Sequence, residues 1–113
     1  MRSIARFAAP VLLSIFTLTA TSSLFAADAA AAEGLFKSKC AMCHGPDGSG
    51  KTMMGEKLKI SDLRSEAVQK QSDADINKTI TSGKEKMPAY SGKLTGEQIT
   101  QLVAYIRELG KAK

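Results

Sequence analysis

Cys40-Ala41-Met42-Cys43-His44 holds both cysteines and the single histidine of a 113-residue chain. Two cysteines separated by two residues and followed directly by histidine form the pattern of covalent c-type haem attachment. On one helical turn, each thiol can add to a vinyl group along one edge of the porphyrin. The adjacent imidazole of His44 can then reach the iron from one face. A structural zinc site needs four Cys or His ligands, and the chain is one short. A Cys-x-x-Cys redox dithiol normally accompanies a strand-helix-strand pattern, which is missing here. A plain disulfide across two residues would close a very small ring and restrain little chain.

Upstream, Arg2 and Arg6 precede a mostly apolar run from Phe7 to Ala27 that contains no acid. This arrangement predicts a secretory signal peptide over 1–27, cleaved between 26 and 29, and a domain over 28–113. The run approaches the length of a membrane span, but Pro10 and the cluster Thr17, Thr19, Thr21, Ser22 and Ser23 favour cleavage, so no stable span is expected in the mature chain. An exported, periplasmic protein fits thiols that are loaded with haem outside the cytosol.

Phe7, Phe16 and Phe25 belong to the leader, which leaves Phe36, Tyr90 and Tyr105 as the aromatic residues of the domain, with no tryptophan. A domain of this size has a marginal core, so a large apolar prosthetic group is a sensible centre for it. Net charge is +5, and loss of Arg2 and Arg6 with the leader lowers it by two. The lysines cluster at Lys37 and Lys39, at Lys51, Lys57 and Lys59, and at Lys84, Lys86 and Lys93. They either keep a surface solvated or form a positive rim that steers an acidic redox partner. No aromatic-basic platform accompanies them, so nucleic acid is not an expected partner.

The segment from Ala29 to Cys43 is helix-prone, with Phe36 one turn before Cys40 on the same face. Gly45 to Gly50 reads as a loop, and its spacing does not match a phosphate-binding loop. Ser65 to Gln71 predicts a short helix. Ser72 caps the next, with Ile76 and Ile80 on one face and Gly83 as its stop. Thr95 and Gln98 form a capping box for the last helix, where Ile99, Leu102, Val103 and Ile106 recur at helical spacing before Gly110. No β-period run appears, so the expected fold is all-α.

An open iron position permits binding or catalysis, whereas a closed one favours electron transfer. Met42 lies inside the attachment motif, and Met53 and Met54 follow His44 too closely to cross the haem. Met87 lies in an irregular segment far enough along the chain to reach the other face, stiffened by Pro88. Cys40, Cys43, His44 and Met87 are therefore the candidate haem-binding residues, with His44 and Met87 on the metal.

Leu35-Phe36, Cys40-Ala41-Met42-Cys43-His44-Gly45, Lys86-Met87-Pro88-Ala89-Tyr90 and Leu102-Val103-Ala104-Tyr105-Ile106 together resemble the small soluble bacterial class I cytochromes c. The resemblance implies three to five short helices wrapped around one haem. It also implies N- and C-terminal helices in contact, with Ala32 and Phe36 against Leu102 and Tyr105. It further implies a monomeric single-electron carrier without enzymatic activity. The alternatives are a haem subunit of a larger dehydrogenase or oxidase complex, or a haem enzyme or sensor with an open iron. In one respect the chain departs from the mitochondrial-type members. Their proline that orients the proximal imidazole is replaced here by Met54-Gly55-Glu56-Lys57-Leu58, which leaves the acceptor for the His44 ring N–H open.

Overall fold

The structure is a computed structural model that describes residues 8–12 and 22–112. Most of the expected leader lies outside the described residues, and its expected cleavage positions fall at the start of the first helix. The order is α1 (Ser22–Lys39), α2 (Ala41–His44), α3 (Met53–Leu58), α4 (Glu66–Gln69), α5 (Asp73–Ser82) and α6 (Gly96–Lys111). There are no strands among the described residues, only two isolated bridges, Lys84 with Met87 and Ser91 with Leu94. The all-α expectation holds. Among the described residues there are six helical segments rather than three to five, because α1 breaks at Cys40 so that the next turn stands alone as α2, and because the short α3 forms after Thr52. No described helix is long and apolar enough to cross a membrane.

The local rules for helix ends decide most boundaries. Ser72 caps α5 by accepting from the Asp75 N–H at 3.0 Å, and Gly83 stops it with φ of 75°. Thr95 and Gln98 make both bonds of the capping box on α6, at 3.1 and 2.9 Å. At the other end of α6, Gly110 does not terminate the helix as expected, and α6 continues to Lys111. Its missing side chain is used for packing instead, since a Cβ there would lie 2.5 Å from Cδ of Gln69. The sequence pattern does not announce helix α3. Thr52 nucleates it by accepting from the Gly55 N–H at 2.8 Å, in a stretch whose brevity and glycine read as loop.

The amphipathic face of α6 organises the core. Ile99, Leu102, Val103 and Ile106 are buried there together with Ile76 and Ile80 of α5 and Ala32 and Phe36 of α1. Helix α1 packs on α6 as the resemblance implied, with the rings of Phe36 and Tyr105 5.1 Å apart and tilted by 53°. Such tilted aromatic pairs add to the stabilisation from area burial alone.

Candidate haem site

Between α1, α5, α6 and the segment after α5 lies a cleft enclosing about 830 Å³ of non-protein space, counting its open mouth. Its walls are largely apolar, with Phe36, Ile76, Ile80, Leu102 and Ile106 among them. Cys40, His44 and Met87 all line it. Cys43 is half-buried in the same turn as Cys40 but is not one of the lining residues.

The break between α1 and α2 presents the motif to the cleft. Cys40 adopts φ of −115°, and its carbonyl accepts from the N–H groups of Cys43 at 3.2 Å and His44 at 2.9 Å. A helix that ends leaves carbonyls without intrahelical partners. Here they find partners from distant segments: Tyr90 Oη donates to the Lys39 carbonyl at 3.1 Å, Thr52 Oγ1 to Cys43 at 2.8 Å, and the Gly50 N–H to His44 at 2.7 Å. The backbone of the attachment turn is thereby held on three sides.

Both cysteines are free thiols, and their Sγ atoms stand for the thioether sulfurs of an attached haem. Burial, and secondarily the neighbouring Cys43, pushes the Cys40 thiol up to about 11. Before haem is attached, Cys40 is therefore a protonated thiol at neutral pH rather than a reactive thiolate. Burial lowers the pKa of His44, which favours the neutral imidazole that a metal can accept. Among the described residues, His44 Nδ1 is buried without a hydrogen-bond partner, and no carbonyl there takes the place of the proline carbonyl of mitochondrial-type proteins. Enclosure of Nδ1 leaves Nε2 as the nitrogen available to a cofactor.

Met87 is held in a turn closed by two backbone bonds, Lys84 N–H to Met87 carbonyl at 3.1 Å and Met87 N–H to Lys84 carbonyl at 2.9 Å. The Tyr90 and Ser91 N–H groups then fasten the segment to the Ile80 and Thr81 carbonyls of α5, each at 3.0 Å. The other three methionines of the expected domain face solvent, with Met42 77 %, Met53 88 % and Met54 38 % exposed. A cleft with apolar walls, two sulfur donors and one imidazole suits a haem.

A family model described as cytochrome C oxidase, cbb3-type, subunit III matches residues 27–106. Cytochrome c6 of Nostoc sp. is 36 % identical over 100 residues, covering 88 % of this chain and 86 % of that protein. The chain belongs to the class I cytochrome c family. Cytochrome c6 of Picosynechococcus sp. is 30 % identical across 96 % of this chain and 94 % of its own. The solved c-type cytochrome KustC0563 is 32 % identical with a TM-score of 0.64, covering 69 % of this chain and 95 % of that one. As a class I cytochrome c, the chain carries covalently bound haem c with iron and shuttles electrons.

Two supports of this cytochrome's site were not foreseen as such. Arg107 on α6 binds the Asp73 carboxylate at 2.9 Å and the Gln69 carbonyl at 2.8 Å, and also donates to the Gln71 carbonyl. These contacts fix the turn between α4 and α5 that places Val68, Gln71 and Ile76 on the cleft wall. Gln69 reaches the Leu63 and Ile106 carbonyls at 2.8 and 3.1 Å. Nothing in the local sequence marks either residue, since each acts on segments far from its own.

Proposed function

We propose that Cys40 and Cys43 hold haem c through two thioethers, that His44 and Met87 close its two axial positions, and that the chain works as a diffusible carrier in the periplasm after its leader is removed. The observation that carries this reading is that Met87 alone of the four candidate methionines lines the cleft with Cys40 and His44. When bound, the haem supplies a one-electron Fe(II)/Fe(III) couple. His44 offers a neutral nitrogen, and Met87 a thioether that favours the reduced state. Phe36, Ile76, Ile80, Leu102 and Ile106 keep water from the centre. His44 and Met87 would hold the iron from the chain's own side chains, so no substrate would need to bind and the chain would act as a carrier rather than a catalyst. The description of the matched family supports a second reading, a haem subunit of an oxidase complex. The near full-length likeness to cytochromes c6 favours the free carrier.

Met87→Ala tests the ligand set. The wild type should show the methionine-to-iron charge-transfer band when oxidised, and the variant should lose it. The potential of the variant should fall by about 0.2 V or more within the roughly 0.8 V range that axial ligands span. An unchanged spectrum in the variant, or a wild type without the band, rejects Met87.

Lys84 lines the cleft, Lys39 directly precedes Cys40, and Lys86 and Lys93 flank Met87 and Tyr90 in the chain; none of the four makes an ion pair among the described residues. The reading extends to partners with acidic docking surfaces, met through this rim. Oxidation of the reduced protein by ferricyanide, an anionic one-electron acceptor, should slow by about tenfold or more between low and high salt. A rate indifferent to ionic strength removes the rim from the mechanism.

A further inference from the structure

Tyr90 joins the two sides of the cleft. Its N–H is fixed to α5 through the Ile80 carbonyl at 3.0 Å, and its own carbonyl accepts from the Lys93 and Leu94 N–H groups at 3.0 Å each. It follows Met87 by three residues and lines the same cleft. From that position the hydroxyl crosses to the Lys39 carbonyl, the residue directly before Cys40, at 3.1 Å. This carbonyl is orphaned by the break at Cys40, because the Cys43 N–H that a continuous helix would offer it turns to the Cys40 carbonyl instead. The outer face of the ring is covered by Lys93, whose Nζ lies 5.8 Å from the centroid. Burial raises the phenol pKa, so the group remains a donor at neutral pH.

From this geometry we propose that Tyr90 is a latch that holds the Met87 segment against the attachment turn and so limits how often the sixth iron position opens to outside ligands. The proposal rests on Met87 as axial ligand. Swinging the Met87 segment outward separates residues 83–94 from α1, and among the described residues the hydroxyl makes the side-chain hydrogen bond that joins them. Local openings of this kind cost less than global unfolding and are set by the few bonds that must break. Tyr90 is thus a positioning residue, acting on the ligand through the loop that carries it.

Imidazole offered to the oxidised, haem-loaded protein measures that opening, because it binds iron only when Met87 has left. Tyr90→Phe keeps the ring in the cleft wall and removes only the hydroxyl. Imidazole binding to Tyr90→Phe should be about fivefold faster than to wild type, the factor that one neutral hydrogen bond supplies. The methionine-to-iron band should remain in both proteins before imidazole is added. Equal imidazole rates in two proteins that both show the band overturn the latch while leaving Met87 as the ligand. This holds even if Tyr90→Phe unfolds at lower denaturant, because a bond that only stabilises the fold does not change the rate of local opening. A wild type without the band overturns the latch together with the ligand assignment.

Discussion

Phe36→Ala lowers the unfolding free energy of the haem-loaded protein by roughly 3–5 kcal/mol, the usual cost of truncating a buried aromatic to alanine. Phe36 is 1 % exposed and, with Leu102, is one of the two most fully buried large side chains among the described residues. Its ring serves two surfaces at once, packing on Tyr105 across the α1 and α6 interface and forming part of the cleft wall. Neither neighbour can collapse into the space without leaving the other, so most of the cavity cost remains. Domains of this kind hold only about 5–15 kcal/mol in total, so the loss is a large fraction of the whole. Denaturant titration followed by far-ultraviolet circular dichroism should show a lower midpoint at unchanged slope. A midpoint within the error of wild type would mean that Phe36 is not a core residue in solution.

Gly55→Ala should be nearly as damaging, for a different reason. A Cβ at position 55 would overlap the Gly50 carbonyl oxygen and lie 2.6 Å from that of Cys43. Both obstacles are backbone, and both belong to the frame of the attachment turn. The Gly50 N–H binds the His44 carbonyl, and Thr52 bridges the Cys43 carbonyl to the Gly55 N–H. Relief therefore requires moving the backbone that carries Cys43 and His44. Overpacking of this kind costs about 1–3 kcal/mol and occasionally more, and with both obstacles in the backbone the upper end applies. The expected result is a lower denaturant midpoint together with a reduced fraction of chains carrying haem, read by intact mass. A variant that loads haem fully and unfolds like wild type would show that the glycine is not required.

The parts of the fold that sequence reveals are those set by neighbours within one or two turns. Thr95 and Gln98 announce α6 because a capping box is complete within four residues, and Ile99, Leu102, Val103 and Ile106 show its buried face by spacing alone. The attachment motif is equally plain because its three chemical groups are contiguous. Met87 is legible only by exclusion, from its distance along the chain compared with Met42, Met53 and Met54, and not from any local motif. Gly110 misled because a glycine near a helix end can serve termination or close packing, and only the position of Gln69 distinguishes them. The roles of Tyr90, Thr52 and Arg107 depend on partners 51, 9 and 34 residues away, and no local pattern encodes such pairs.

The pairing of α1 with α6 also bears on the order in which the molecule comes into being. A chain is synthesised from its N-terminus, so Phe36 and the attachment cysteines emerge long before Leu102 and Tyr105. Until the final 16-residue helix exists, α1 has no surface to close upon. Both thiols therefore stay reachable until α6 docks on α1, and that docking is the step that ends the interval for loading outside the cytosol.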